Sequence, residues 1–106
     1  MKMDKRLGMI GLCAKAGGLV SGGFMAEKSL ADGSARFVII AEDASDNTVK
    51  KFENKCKYYK VPFVKCGGMD ELGHLIGKES RTVVVITDER FAEQFIKKFS
   101  PANIEE

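Results

Sequence analysis

The side chains able to make or break bonds are few and scattered. One histidine, His74, and three cysteines, Cys13, Cys56 and Cys66, supply all the imidazole and thiol of the chain. No two cysteines form a C-x-x-C pair, and a zinc site needs about four such ligands at close spacing. Neither a metal nor another cofactor is expected, and the cysteines read as small apolar residues of a reducing compartment. His74 stands beside Gly73 with no serine or cysteine placed to pair with it, which suits a surface or helix-end histidine better than a general base. Glu42 and Asp43 are the better enzymatic candidates, because they follow an apolar run and open α/β sheets bind ligands beyond the carboxyl ends of their strands. The same acidic pair can instead cap the next helix, in competition with Ser45 and Asp46. No catalytic residue is assigned, and the chain is expected not to be an enzyme.

Anion binding has more to work with. Gly17-Gly18 and Gly22-Gly23 fit neither G-x-x-x-x-G-K-[ST] nor G-x-G-x-x-G, so no nucleotide loop is expected. Gly22-Gly23 nevertheless opens a helix, where free N–H groups and the positive end of the helix dipole make an anion site. Lys28, about a turn and a half further on, can reach the same neighbourhood. The alternative is a helix start with solvated glycines and a solvated lysine. A second cluster is Gly77-Lys78-Glu79-Ser80-Arg81: glycine suits the left-handed residue that ends a helix, and the charged turn after it joins two rigid elements. A third is the face of a helix near residues 50–60, with Lys50, Lys51, Glu53, Lys57 and Lys60 beside Tyr58 and Tyr59. Tyrosines among lysines can stack on bases, but a charge run on a helix exterior is ordinarily a solvated face.

The bulk numbers bound what can hold these groups. The 106 residues suit a single domain with its own core. Apolar residues make up 44% and charged residues 30%, so the chain is globular rather than disordered. With 17 basic and 15 acidic residues the formal net charge is only +2, so any basic face must be local. No apolar stretch approaches the roughly 20 residues of a membrane span, and the N-terminus lacks the apolar segment of a signal peptide. A cytoplasmic location is the expectation.

Helical and extended patterns alternate along the chain. Residues 4–16 place Leu7, Ile10, Gly11 and Ala14 on one helical stripe, with Asp4 as a candidate N-cap. Leu19–Ser21 suits a very short strand, and a second helix runs from Gly22-Gly23 to Gly33. The run 35–41, with Phe-Val-Ile-Ile in succession, and the β-branched run 82–87 read as strands covered on both faces. Between them lie a helix carrying Val49, Phe52, Cys56 and Tyr59, a strand Phe63–Lys65 after Pro62, and a short helix from Asp70 to Ile76. Asp88 caps a last helix with Phe91, Phe95 and Phe99, and the acidic tail after Ser100-Pro101 is expected to fray. Strands alternating with helices predict a small three-layer α/β/α sandwich on a four-stranded, mostly parallel or mixed sheet.

Three segments, taken in order, resemble one known family. Ala35-Arg36-Phe37-Val38-Ile39-Ile40-Ala41-Glu42-Asp43-Ala44-Ser45, Cys56-Lys57-Tyr58-Tyr59-Lys60-Val61-Pro62-Phe63 and Leu72-Gly73-His74-Leu75-Ile76-Gly77 are similar to the second strand, the third helix and the L-G-x-x-x-G signature of the kink-turn RNA-binding ribosomal proteins. The likeness runs through residues 5–97 and is greatest to the bacterial YlxQ-like branch. It implies an α/β/α sandwich and a non-catalytic, ribosome-associated protein whose partner is ribosomal or other structured RNA; a monomer that needs no membrane is expected besides. It also implies an RNA site at Gly22, Gly23 and Lys28 in the second helix and at Gly77, Lys78, Glu79, Ser80 and Arg81 in the loop. Gly22, Lys28, Gly77 and Glu79 fit the family pattern. The family's Asn-Glu pair, which contacts sheared G·A bases, falls on Phe24 and Met25, and the loop's apolar residues fall on Lys78 and Ser80. Phosphate contacts by Lys15, Lys28, Lys78 and Arg81 are then the expected source of affinity. The alternative is a protein-interaction module on the same scaffold, anchored by an exposed Phe24 and Met25. A small-ligand enzyme using Glu42 and Asp43 is a third reading.

Overall fold

The computed structural model describes residues 5–101. A 3₁₀ turn, Lys5–Gly8, leads into α1 (Met9–Lys15), and the chain continues through β1 (Leu19–Ser21), α2 (Gly23–Ala31), β2 (Phe37–Ile40), α3 (Asp46–Tyr59), β3 (Phe63–Lys65), α4 (Met69–Leu75), β4 (Val83–Ile86) and α5 (Glu89–Phe99). The expected elements are all present within a residue or two, except that the first helix begins as 3₁₀. Asp4 and the acidic tail lie outside the described residues.

The four strands form one mixed sheet in the order β1-β4-β2-β3. β2 and β3 are parallel, whereas β4 runs antiparallel to both β1 and β2. All four residues of β2 and all four of β4 are buried, as continuous apolar runs require. Because side chains alternate across a strand, these runs feed two cores. Phe37, Ile39, Val84 and Ile86 pack with Ile10 and Cys13 of α1, Leu72 of α4 and Phe95 of α5. Val38, Ile40, Val83 and Val85 pack on the other face with Ala26 and Leu30 of α2 and Phe52 and Cys56 of α3. The result is the three-layer α/β/α sandwich.

Local chemistry sets the helix ends. Ser45 Oγ accepts the Thr48 N–H at 3.2 Å and Asp88 Oδ1 accepts that of Phe91 at 3.1 Å; each such cap is worth about 1 kcal/mol. Asp43 Oδ1 accepts the Met69 N–H at 2.8 Å, so this acid holds the start of α4 across 26 residues of chain. The alternative to acid/base work was a cap on the next helix, but Ser45 takes that place on α3 and Asp43 serves α4 instead. The cysteines are buried thiols. Burial pushes Cys13 up to about 11, with Asp88 adding to the effect, and Cys56 up to about 12, with Glu53 adding. Such thiols stay protonated and inert at neutral pH. Among the described residues no cluster of His, Cys, Asp or Glu is arranged to hold a metal. No described helix is long and apolar enough to cross a membrane.

Candidate nucleic-acid interface

The sheet register brings two distant pieces of sequence together. Ser21, the last residue of β1, pairs with Val84 near the start of β4. The Gly22 N–H extends this ladder to the Val83 carbonyl at 2.9 Å. The chain leaving β1 for α2 therefore emerges beside the chain entering β4, which is the 77–81 loop. Ser21, Gly22, Gly23, Phe24 and Met25 from one side and Ser80, Arg81 and Thr82 from the other line a single shallow groove.

On the α2 side the N-cap is Gly22, which offers no side chain to the helix start. The first intrahelical bond runs from the Ala26 N–H to the Gly22 carbonyl at 2.9 Å. The N–H groups of Gly23, Phe24 and Met25 precede it and have no intrahelical acceptor. They and the helix dipole give this wall a positive polarisation without any charged side chain. Phe24 is 80% exposed, whereas Met25 is half-buried. Lys28 lies outside the groove lining but one turn beyond Phe24, on the same exposed face of α2. It contributes to holding the Asp32 carboxyl below its ordinary value, a shift due first to hydrogen bonds from Ser34. Glu27 is turned to other work: its carboxylate meets Lys51 of α3 at 2.6 Å and Lys55 at 3.9 Å.

The loop side is rigidly built. Gly77 is left-handed at φ 72°, and α4 ends in a Schellman motif, with the Gly77 N–H on the His74 carbonyl at 3.1 Å and the Lys78 N–H on that of Gly73 at 2.8 Å. The loop then folds back over α4. A Cβ at Gly73 would overlap the Glu79 carbonyl and come 2.9 Å from the Ser80 Cα. Only a glycine lets the loop lie this close. The Arg81 N–H reaches the Met69 carbonyl at 3.0 Å, closing the loop onto the other end of α4.

Arg81 also bridges the two walls. Its Nε donates to Ser21 Oγ at 3.1 Å, and its Nη1 donates to the carbonyls of Ser80 at 3.0 Å and Glu79 at 3.2 Å. The guanidinium is thus a brace holding the loop against the end of β1 as well as a cation in the groove. Lys78, Glu79 and Ser80 are exposed.

Of the residues expected to form a site, Gly22, Gly23, Ser80 and Arg81 line the groove, Gly77, Lys78 and Glu79 belong to the loop that forms one wall, and Lys28 stands a turn away. Lys15 is exposed at the end of α1, outside the groove lining. Sequence reasoning missed Gly73 and Ser21. Gly73 was visible as a mid-helix glycine, which ordinarily costs stability and so marks a packing demand. Nothing local marked Ser21, whose partner lies 60 residues away.

Comparison with known proteins agrees with this architecture. The profile of the Ribosomal protein L7Ae/L30e/S12e/Gadd45 family matches residues 4–96. A Bacillus subtilis (strain 168) protein named RNA-binding protein YlxQ is 44% identical over 88 residues, spanning 83% of this chain and 88% of the relative. One of the same name from Enterococcus faecium is 37% identical over 91 residues, spanning 86% and 87%. Among solved structures, a Bacillus halodurans C protein of unknown function superposes with a TM-score of 0.83 at 33% identity, covering 88% of this chain and 94% of its own. The fold is shared with a Giardia lamblia 15.5kD RNA binding protein, with a TM-score of 0.79 at 22% identity and coverage of 96% and 100%. With its sheet order, its looped-back L-G-x-x-x-G helix and these matches, the chain belongs to the ribosomal protein L7Ae/L30e/S12e/Gadd45 family, in its YlxQ-like branch.

Proposed function

We propose that this chain binds structured RNA without catalysis, as a ribosome-associated, monomeric protein of the cytoplasm, and that the groove between the start of α2 and the 77–81 loop is the binding surface. The observation that carries this is the junction itself. A polarised helix start and a braced loop, 55 residues apart between Gly22 and Gly77 in sequence, meet at one groove whose lining has a guanidinium and no carboxylate, with Glu79 exposed just outside it. The relatives' names, RNA-binding protein YlxQ, point the same way. Lys28 and Lys78, exposed on either flank, are the phosphate contacts. Preformed walls suit recognition of RNA by its folded shape, and a kink-turn, with its sharp bend and unpaired nucleotides, is the motif proposed.

The test is a titration of a kink-turn RNA, and of the same RNA with its G·A pairs changed, over a series of salt concentrations. Binding is expected to weaken linearly in log salt. The double variant Lys28→Ala/Lys78→Ala should lower the slope by about 0.7–0.9 for each phosphate left without its lysine. Equal affinity for the two RNAs removes the kink-turn claim and leaves general RNA binding. A double variant that binds like the wild type means that the face is wrong. A second reading, a protein-docking module, draws on the 80% exposure of Phe24. It predicts no binding to either RNA or to ribosomal RNA.

A further inference from the structure

Phe24 is the anomaly of the groove. A phenylalanine ring gains about 1.5–3 kcal/mol by full burial, yet this one is 80% exposed while the chain's other large apolar rings are mostly packed away. It takes part in none of the ring contacts that join Phe37, Phe95 and Phe99. It contributes little to the fold, so its place invites a different explanation. That place is the second position of α2, within the first turn whose N–H groups have no intrahelical acceptor. Lys28 follows one turn along the same face, and Arg81 stands in the same groove. The neighbouring Met25 carries no hydrogen-bond donor either, and Ser21 Oγ already accepts from Arg81. This wall is therefore poor in side chains that can read base edges, yet it presents an exposed aromatic ring at a positively polarised helix start, with Arg81 in the same groove.

Those two properties together describe a site for an unpaired nucleotide. Aromatic side chains beside cations hold single-stranded nucleic acid by stacking a base on the ring while the charges take the flanking phosphates. Around Phe24 the groove is glycine- and serine-rich with a guanidinium, small polar surroundings that leave the ring face open to a flat base. We propose that Phe24 is a base-stacking platform, so that this chain selects RNA presenting an unstacked nucleotide beside a helix by stacking rather than by hydrogen bonds to paired bases. The proposal rests on the RNA-binding reading of the groove and names what that groove selects.

The experiment uses a hairpin RNA carrying an asymmetric bulge, with 2-aminopurine in the bulge, and its fully paired counterpart. The proteins are the wild-type chain and the variants Phe24→Ala, Phe24→Leu and Phe24→Trp. Stacking of one base is worth about 1–3 kcal/mol, or roughly 5- to 150-fold in affinity. Phe24→Ala and Phe24→Leu should therefore each weaken bulged-hairpin binding by about that factor, while Phe24→Trp binds like the wild type. The salt slope should be the same in all four proteins, because no charge is altered. Fluorescence of 2-aminopurine should fall on binding of the wild type and of Phe24→Trp only, and the paired hairpin should not distinguish Phe24→Ala from the wild type. Circular dichroism and the unfolding midpoint confirm that each variant is folded. Failure of the wild type to bind either RNA at low salt overturns the RNA reading and the stacking role with it. Binding by the wild type with full affinity retained in Phe24→Ala overturns stacking alone. Rescue by Leu as complete as by Trp also overturns it, because an aliphatic side chain fills the same space without a π-face.

Discussion

Two surfaces of this molecule offer aromatic rings beside cations, and they differ where composition alone would rank them the other way. The carboxyl end of α3 has more of both. Tyr58 is 79% exposed and Tyr59 39%, their rings meet edge-on at 4.9 Å, and Lys57 and Lys60 adjoin them. The groove at the start of α2 has one exposed ring and, in its lining, one cation. The peptide dipoles reverse the ranking. The groove contains a helix N-terminus, where N–H groups point out; the tyrosines sit at a helix C-terminus, where carbonyls do. Lysines at that end complement the carbonyls of their own helix. Lys60 is itself the left-handed cap, at φ 60°. Two earlier lysines of α3 are matched by an acid: Lys51 and Lys55 face Glu27, whose carboxyl is held low chiefly by the hydrogen bond from Lys51. Lys65 of β3 faces Glu53 at 2.9 Å. A count of basic residues is a poor guide to an anion-binding surface when backbone polarity and acidic partners decide what each cation has left to offer.

The largest effect expected from any single change to the groove comes from a residue outside it. Gly73→Ala places a methyl group into the Glu79 carbonyl, so the loop must lift from α4. Overpacking of this kind costs about 1–3 kcal/mol, and denaturant unfolding should show it as a lowered midpoint. RNA affinity should fall further than stability explains, because the displaced loop carries Lys78 and one wall. A variant that unfolds and binds like the wild type would mean that the loop is not a preformed wall, and the contrast between a built groove and a merely charged helix face would collapse.

Arg81→Lys comes next. It keeps the charge and loses the fork that ties Ser21, Glu79 and Ser80 together. Each such bond contributes about 0.5–1.5 kcal/mol, so affinity should drop roughly 5- to 10-fold with the salt slope unchanged. If Lys serves as well as Arg, while Arg81→Ala lowers the slope by about 0.7–0.9, then Arg81 is a phosphate contact and not a brace.

These two residues also mark where the sequence stops speaking. The two buried strands, the glycine end of α4 and the caps at Ser45 and Asp88 were legible because each depends on neighbours a few residues away. The two candidate patches were legible too, from a glycine pair before a helix and a charged run after one. Their convergence was legible only through the family resemblance. It depends on β4 inserting antiparallel between β1 and β2, which sets Ser21 opposite Val84, and strand order leaves no local trace in composition or periodicity. The same holds for Asp43: its position at the end of β2 could be read from the apolar run before it, but its partner, the amide that opens α4, became visible only in three dimensions. Met25, expected to be exposed with Phe24 if the surface docks proteins, is half-buried on the side of α2 that it shares with the buried Ser29 and Leu30.

The smallest effect should come from the richer-looking surface. Tyr58→Ala combined with Lys57→Ala removes an exposed ring and an exposed cation from the carboxyl end of α3. Neither side chain packs in a core, so the fold should tolerate both changes. Loss of a cation near a helix C-terminus costs about 0.3–1 kcal/mol of stability, visible in unfolding but not in binding. RNA affinity should change by less than about 2-fold and the salt slope should stay constant, since every phosphate keeps its cation. A fall of 10-fold or more, with the slope reduced, would mean that RNA runs along α2 from the groove to the tyrosines. The exposed carbonyls of α3 would then be outweighed by the stacking and charge beside them, and the sign of the helix dipole would cease to separate the two surfaces.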